Sequence, residues 1–353
     1  MRQRLGRASE CGSPAIPPLS RRLTTLGLFL RVALALFLIG RPVSARLGPE
    51  LGISGTNVTI DGRPAFLLGV SLFDALGPTP PRDADLDALK AWGVNTVRVW
   101  AHWHEPIYQA DGTLSTVGAA RLAALVKQLQ ARGLILELVL LRPGQLPGQR
   151  YAVFASEDAR LRAVDAITSA LRDFRNGLFD LYNEHDHPDG PASHQALRAI
   201  RDRVKAIDRD RLVTVSSTES HLIGANGMMD DTQRKNLREE AGTDSGSVNV
   251  DIVAPHLPRS VDWAAAAGGR VGALRTALTA IGRPLPVYLD EEQRSAEGKT
   301  LPADAYAVAR AAAAHAGAAG WVFHTDAGYE LNKRPFLDAL RPQERAGLAG
   351  LAR

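Results

Sequence analysis

Two glutamates stand where apolar segments of the sequence end, and they are the residues best placed to do chemistry. Glu184 follows the apolar run 178–183, and Glu291 follows the run 286–290. A carboxylate at the end of a buried strand is either a catalytic group or a member of a salt bridge. Two such carboxylates in one chain favour catalysis, because acid–base and nucleophilic chemistry often use paired carboxyl groups in different environments.

Strand periodicity predicts the direction in which Glu291 points. Side chains alternate between the two faces of a strand, so Val287, Leu289 and Glu291 share one face and the residues between them share the other. If the apolar pair faces the interior of a barrel, we expect Glu291 to lie at the centre of its mouth. Arg98, in an earlier apolar segment, could keep such a carboxylate ionised.

The elements that must position these glutamates alternate along the chain. A hairpin is predicted at 53–72, with Asp61-Gly62 at its turn and a buried strand at its end. Seven further strands are predicted at 95–100, 134–141, 178–183, 211–216, 250–255, 285–290 and 320–324. Helices are predicted at 83–92, 116–132, 157–174, 192–207, 231–241, 263–281, 303–316 and 336–340.

Eight strands that alternate with helices predict a (β/α)8 barrel, the TIM-barrel class of α/β fold. An open doubly wound sheet is disfavoured, because neither a GxGxxG motif nor a P-loop follows the first strand. In a (β/α)8 barrel the functional groups lie at the carboxyl ends of the strands. The polar residues at those ends include Arg98, Asn183, Glu184, His256 and Glu291.

The charge of the chain is concentrated in its first 45 residues. They hold seven arginines and one acid, which gives +6, whereas the remainder carries −2. The body therefore has no excess of positive charge for binding nucleic acid. Its lack of cysteine excludes disulfides and a thiol nucleophile there, because the one cysteine of the chain is Cys11.

The first 45 residues predict a signal peptide. Arg21 and Arg22 precede the apolar run 23–40, and Val43-Ser44-Ala45 suits cleavage before Arg46. We expect residues 46–353 to form one catalytic domain that is secreted or periplasmic. The alternative is an uncleaved membrane anchor formed by residues 23–40, although Arg31 near the middle of that run would be costly in a bilayer.

The residues at the strand ends carry a family resemblance. Asn183-Glu184 resembles the acid/base signature of clan A glycoside hydrolases, and 286–291 resembles their seventh strand, with a proline five residues before the nucleophile. Arg98 is similar to the arginine that braces that nucleophile. His256 resembles the histidine that ends their sixth strand, and Trp321 resembles the eighth-strand tryptophan that floors a sugar subsite.

This resemblance runs from about residue 53 to residue 340 and is strongest to cellulase-like, family 5-type enzymes. The chain departs from the pattern at three places. Leu141-Arg142 stands where a histidine is usual, Pro258 where a tyrosine is frequent, and His185 where a proline follows the Asn-Glu pair. These departures leave the exact family and the sugar open.

Several further residues have weaker signals. Trp100 and Trp103 could stack on sugar rings or pack in the core, and His102 could line a substrate cleft or a solvated loop. His185, His187 and His194 lie close together in sequence, but loop histidines are more often free than metal-bound, so we predict no metal and no cofactor.

The resemblance implies a retaining glycoside hydrolase that acts on a β-linked glycan or glycoside. In that mechanism Glu291 would be the nucleophile and Glu184 the acid/base, with carboxyl groups about 5–5.5 Å apart. The partner would be an oligosaccharide or polysaccharide, bound by Arg98, Asn183, His256, Trp321, Trp100 and His102. A carbohydrate-binding barrel without catalysis is the alternative. A metal-dependent hydrolase is disfavoured, because Ser71-Leu72-Phe73 lacks the His-x-His expected after the first strand.

Overall fold

The computed structural model describes residues 48–295 and 300–351. The predicted signal peptide or anchor lies outside these residues. Within the described ranges, no helix has the length and apolar character needed to cross a membrane.

Nine α-helices occur in the described residues. They are α1 (Asp83–Ala91), α2 (Thr116–Arg132), α3 (Glu157–Ala170), α4 (His194–Ile207), α5 (Asp231–Ala241), α6 (Trp263–Ala280), α7 (Ala303–His315), α8 (Phe336–Ala339) and α9 (Pro342–Gly350). Helix α9, which begins with a proline at its first position, was not among the predicted helices.

The twelve strands of the described residues alternate with these helices after an N-terminal hairpin. They are β1 (Leu51–Ser54), β2 (Asn57–Ile60), β3 (Arg63–Pro64), β4 (Leu67–Ser71), β5 (Thr96–Trp100), β6 (Ile135–Val139), β7 (Gly177–Asp180), β8 (Leu212–Thr214), β9 (Ser216–Ser217), β10 (Ala254–Pro255), β11 (Tyr288–Leu289) and β12 (Gly320–Phe323).

Strands β4 to β12 form a curled parallel arrangement. Seven of them make one sheet in the order β11-β12-β4-β5-β6-β7-β8. β9, which continues β8 after one residue, pairs with β10, and a parallel bridge between Val253 and Val287 links β10 to β11. The pairing therefore passes through eight strand positions, an arrangement consistent with a (β/α)8 barrel.

Helix α2 illustrates how local sequence sets these elements. Ser115 caps its first turn, because its side-chain oxygen accepts a hydrogen bond from the backbone N–H of Gly118 at 2.8 Å. Gly133 ends the helix in a left-handed conformation with a φ of 64°. Both ends of α2 therefore follow from the sequence, and its observed bounds are the predicted ones.

The apolar residues form two layers on opposite faces of the strands. Leu67, Ile135, Leu178, Tyr288 and Val322 belong to an inner cluster, which also contains Leu51 and Val58 of the hairpin. The neighbouring strand positions, such as Leu68, Leu136 and Phe179, belong to the larger cluster that includes the helices. The hairpin therefore packs at the amino ends of the strands, and the carboxyl ends remain for the site.

The inner layer overturns the predicted orientation of the strand that precedes Glu291. Tyr288 lies in the inner cluster, whereas Val287 and Leu289 pack in the outer one. The condition on which the orientation of Glu291 was predicted, an apolar pair that faces the interior, is therefore not met. Glu291 reaches the mouth for another reason: β11 ends at Leu289, so the strict alternation of a strand no longer applies two residues later.

Candidate active site

A cavity of about 410 Å³ opens at the carboxyl ends of the strands. It contains both candidate glutamates and is lined by aromatic and cationic side chains. Its lining residues are Phe73, Trp100, Trp103, Arg142, Pro143, Arg150, Tyr151, Asn183, Glu184, His187, Asp189, Arg259, Glu291, Arg294 and Tyr329. The structure thus brings together six residues singled out in the sequence: Glu184, Glu291, Asn183, Trp100, Trp103 and His187.

Arg98 lies beneath this cavity on β5 and is fully buried. Its Nε donates to Glu137 Oε1 at 2.9 Å, and its Nη1 donates to Glu291 Oε2 at 2.8 Å. Its Nη2 donates to Asp180 Oδ2 and to Asn183 Oδ1, each at 2.9 Å. The side chain of Arg98 is enclosed by protein, so it offers no surface for the direct contact with a substrate that the sequence predicted. It positions Glu291 and Asn183 instead.

The layer around Arg98 contains more carboxylates than the sequence analysis identified. Asp290 Oδ2 lies 3.2 Å from Arg98, and Tyr288 donates to Glu137 Oε2 at 2.7 Å. Burial raises the pKa of Glu137 well above its usual value and raises the pKa of Asp290 to about 6. A signal was present in the sequence, because Glu137 is an isolated acid within the apolar run 134–141.

Glu291 is held as a carboxylate by the groups around it. Arg98 contacts one oxygen, and Arg259 Nη2 lies 3.2 Å from the other. Burial alone would raise the pKa of Glu291, but neighbouring His324, His256, Arg98 and Arg259 outweigh it and hold the pKa well below its usual value. Because burial lowers the pKa of His324 well below its usual value, the lasting positive charge comes from the two guanidinium groups and from His256, whose pKa is raised to about 9.

Glu184 occupies a different environment from Glu291. Its side chain is 24% exposed, and its Oε1 accepts a hydrogen bond from His256 Nδ1 at 3.1 Å. Its backbone has a left-handed φ of 49°, which is costly for a non-glycine residue and is found most often at functional positions. Among the described residues, no arginine forms an ion pair with Glu184.

His256 lies between the two glutamates and is buried. Besides its bond to Glu184, its Nε2 lies 3.9 Å from Glu291 Oε2 and 3.6 Å from Asp290 Oδ1. Burial would lower the pKa of His256, but these three carboxylates raise it to about 9. Oxygen atoms of Glu184 and Glu291 and a nitrogen of His256 all lie within 4.8 Å of one another.

Aromatic rings form one wall of the cavity. Phe73 stacks on Trp100 with ring centroids 3.8 Å apart, and Trp103 Nε1 donates to the carbonyl of Tyr329 at 3.0 Å. Trp100 is buried by these neighbours, yet it lines the cavity. The wall can offer a flat apolar surface to a sugar ring.

Two sequence-based placements need correction. Trp321 packs in the outer core layer and does not floor the cavity, because Val322 beside it faces the interior and strand side chains alternate. His102 is buried and lines a neighbouring cavity, apart from the glutamates. Burial and the nearby Arg142 lower the pKa of His102 to about 3.

Three clusters of the described residues could hold a metal ion by their spacing. They are Glu184 with His256 and Glu291, then Glu137 with Asp180 and Asp290, and finally His185 with His194, His221 and Glu240. Arg98 already provides a cation to the first two clusters, which disfavours a metal there. The third contains no arginine or lysine and lies outside the cavity.

Comparisons with known proteins agree with the fold. A sequence model of the cellulase family (glycosyl hydrolase family 5) matches residues 58–270. No protein of curated function matches the chain. Among solved structures, the endo-1,4-β-mannanase from Rhizomucor miehei is similar with a TM-score of 0.56 and 14% identity, over 86% of this chain and 98% of that one.

Two further structures are similar. A glycoside hydrolase family 5 protein from Bacteroides vulgatus ATCC 8482 has a TM-score of 0.61 and 13% identity, over 86% of this chain and 70% of that one. The β-mannanase from the blue mussel Mytilus edulis has a TM-score of 0.53 and 14% identity, over 86% of this chain and 96% of that one. At these identities the likeness shows a shared fold.

Proposed function

The chain belongs to the cellulase family, glycosyl hydrolase family 5, and is a glycoside hydrolase; on this premise we propose that it cleaves β-linked glycans with net retention of anomeric configuration. In this proposal Glu291 is the nucleophile and Glu184 is the acid/base. Asn183 and the aromatic wall bind the sugar, while Arg98 and His256 position the two glutamates.

One observation carries this proposal. Carboxylate oxygens of Glu184 and Glu291 lie within 4.8 Å of each other. Retaining glycosidases place their two carboxyl groups about 5–5.5 Å apart, whereas inverting enzymes separate them by about 6.5–9.5 Å to admit a water molecule. The short separation therefore supports direct attack by one carboxylate on the anomeric carbon.

The surroundings of the two glutamates support the assignment of roles. A nucleophile must be ionised, and Glu291 is held by Arg98 and Arg259. An acid/base must exchange its proton with the leaving group and then with water. Glu184 suits that role, because it is partly exposed and forms no ion pair with an arginine among the described residues.

The reaction follows from these positions. Glu291 attacks the anomeric carbon and forms a glycosyl ester, while Glu184 gives its proton to the departing glycosidic oxygen. Glu184 then takes a proton from an incoming water, whose oxygen attacks the same carbon and releases Glu291. Two inversions at one carbon give net retention, and both glutamates return to their starting protonation states.

We further propose that the protein is exported, with cleavage before Arg46. The arginine-rich start, the apolar run 23–40 and the small residues Ser44 and Ala45 support this proposal. Amino-terminal sequencing of protein recovered from the exported fraction tests it. A first residue near Arg46 is expected, and an intact 1–40 segment would support the anchor instead.

The activity is tested on a panel of aryl β-glycosides and β-linked polysaccharides. β-1,4-mannan belongs in the panel because two of the similar structures are β-mannanases. We expect at least one substrate to be cleaved by the wild-type chain and by Glu157→Ala, a matched change on outer helix α3. Binding without cleavage across the panel would favour the non-catalytic alternative.

A further inference from the structure

A cluster of three histidines and one glutamate lies beside the catalytic cavity without lining it. One potential ligand atom from each of His185, His194, His221 and Glu240 lies within 4.8 Å of the others. His185 comes from the loop after β7, His194 begins α4, His221 follows β9, and Glu240 lies on α5. The fold therefore brings four separate segments together at one point.

The imidazole nitrogens of this cluster converge on Glu240. His185 Nε2 lies 3.0 Å from Glu240 Oε1, and His221 Nε2 lies 3.4 Å from the same oxygen. His185 and Glu240 are almost completely buried, with side chains 2% and 1% exposed. His194 Nε2 and Glu240 Oε2 are buried without a hydrogen-bond partner among the described residues, and the 3.4 Å contact of His221 Nε2 with Glu240 is not a hydrogen bond by its geometry. Such orphaned polar atoms are costly unless a ligand satisfies them.

Two of the imidazole rings have a carboxylate beside their Nδ1 atom, which fixes the orientation of each ring. His221 Nδ1 lies 3.0 Å from Asp186 Oδ2, and His194 Nδ1 lies 3.3 Å from Glu239 Oε2. A histidine that donates one ring N–H to a carboxylate turns its other nitrogen toward a metal, and this arrangement is general in metal sites. The cluster has both the inner donors and the outer carboxylates of such a site.

We propose that His185, His194, His221 and Glu240 bind one divalent transition-metal ion, with Zn²⁺ as the preferred ion. Three imidazoles and one carboxylate are ligands that zinc accepts in four-coordinate sites. Calcium and magnesium are disfavoured, because they select oxygen ligands. With four protein ligands the site is structural.

The proposed metal site lies next to the loop that carries Glu184, where a bound metal would stabilise that loop. His185 directly follows Glu184, so the metal would tie the loop that carries the acid/base to helix α5. Asp186 extends this link, because it accepts hydrogen bonds from the backbone and side chain of Thr218 in the next loop. The metal thus supports a strained loop, in which Glu184 has a left-handed backbone.

Metal content is the direct test, on the exported chain purified without a histidine tag. After saturation with ZnCl₂ and gel filtration, elemental analysis should find about one zinc per chain, as a single four-ligand site implies. Removal of the metal with a chelator should lower Tm by at least about 4 °C, and added Zn²⁺ should restore it.

Variants keep this test specific. His194→Ala and Glu240→Gln should each weaken Zn²⁺ binding at least about tenfold in competition with a chromophoric chelator. His187→Ala is the matched control, since His187 lies in the same loop but outside the cluster, and it should bind zinc like the wild type. Absence of zinc from the saturated wild-type chain, or equal loss in His187→Ala, would overturn the proposal.

A second, independent observation concerns the sugar and rests on the proposed function. Arg142 and Arg150 lie 4.2 Å and 5.0 Å from the ring of Tyr151. With Trp103 and Tyr151, they line both the catalytic cavity and an adjoining cavity of about 620 Å³. None of the residues that line the adjoining cavity is acidic.

These two arginines have no carboxylate partner among the described residues. Burial lowers the pKa of Arg142, which reflects a cation removed from water without a compensating charge. A planar guanidinium pairs well with carboxylate and sulfate groups. We infer that the adjoining cavity binds an anionic sugar of the glycan, next to the bond that is cleaved.

Binding to the Glu291→Gln variant tests this inference without turnover. Calorimetry should compare β-linked oligosaccharides of equal length that are neutral, contain a uronate or carry a sulfate. We expect one anionic class to bind at least about tenfold more tightly than the neutral one, as a bidentate arginine contact implies. The comparison of uronate and sulfate arms identifies the anion.

Arg150→Gln in the same background should remove the preference for the anion. Arg63→Gln, an exposed arginine of the hairpin, is the matched control and should retain it. Equal binding of all three oligosaccharides, or an Arg150→Gln variant that still prefers the anion, would overturn the inference. Anion preference without any hydrolysis by the wild-type chain would instead count against the proposed catalysis alone.

Discussion

Arg98 Nη1 lies 2.8 Å from Glu291 Oε2, whereas Glu184 forms no ion pair with an arginine among the described residues. This difference separates two glutamates of the same cavity: Glu291 is a buried anion held by two arginines, whereas Glu184 is partly exposed and has His256 as its hydrogen-bond partner. The proposed mechanism depends on that division.

Removal of Arg98 should destabilise the protein. Arg98→Ala leaves Glu137, Asp180 and Asp290 buried without their shared cation. Loss of one partner from a buried ion pair costs about 3–5 kcal/mol, so we expect a decrease of that order in the free energy of unfolding, measured with urea. Arg345→Ala, an exposed change on α9, should alter it by less than about 0.5 kcal/mol. Equal decreases in the free energy of unfolding for the two variants would contradict the role of Arg98 as the shared cation of the buried carboxylates.

Glu184→Ala should reveal the acid/base by its dependence on the leaving group. Cleavage of substrates with poor leaving groups should fall about 10²–10⁴-fold, because protonation of the leaving oxygen is lost. Aryl glycosides with good leaving groups should still form the glycosyl ester. Added azide should then release a glycosyl azide of retained configuration, which NMR would detect. Absence of rescue together with equal loss on all substrates would argue against this role.

Glu291 and its neighbour Glu292 should behave differently. Glu291→Ala should be inactive on every substrate, because no other group can form the glycosyl ester. Glu292 is buried and does not line the cavity, so Glu292→Gln should retain activity close to that of the wild type. The opposite result, an active Glu291→Ala variant and an inactive Glu292→Gln variant, would show that Glu291 is not the nucleophile.

Glu292 should also make stability depend on pH. Burial raises the pKa of Glu292 to about 7, so the native state binds a proton that the unfolded state releases at lower pH. Stability is therefore lost as pH rises from the unfolded pKa toward the folded one. Between pH 4.5 and pH 8 the free energy of unfolding of Glu292→Gln should therefore decrease by about 3 kcal/mol less than that of the wild type, as measured by urea unfolding. If the free energy of unfolding depends on pH in the same way for the wild type and for Glu292→Gln, this assignment is contradicted.

Local sequence signals predicted much of the fold. Ser115 and Gly133 mark both ends of α2, and the apolar runs located the strands of the sheet. The face of β11 was mispredicted because alternation holds only within a hydrogen-bonded strand, and β11 contains two residues, Tyr288 and Leu289. Trp321 was misplaced for a related reason, since a motif match does not state which face of a strand a side chain occupies.

The candidate site was predictable only where its residues follow the apolar runs that contain strands. Asn183, Glu184 and Glu291 do so, and the structure brings them to one cavity. The cluster of His185 with Glu240 joins residues 55 positions apart in sequence, so local spacing identified only two of its members, His185 and His194, and gave no reason to predict a metal. The arginines of the adjoining cavity also come from a loop whose path depends on tertiary packing.

The stereochemistry of the first product tests the central claim most directly. Proton NMR of a hydrolysis started in D₂O, with spectra taken before mutarotation, identifies the anomer first released. Because carboxylate oxygens of Glu184 and Glu291 lie within 4.8 Å of each other, we predict that a β-linked substrate first yields the β-anomer. A first-formed α-anomer would mean single displacement by water, and would contradict the assignment of Glu291 as the nucleophile.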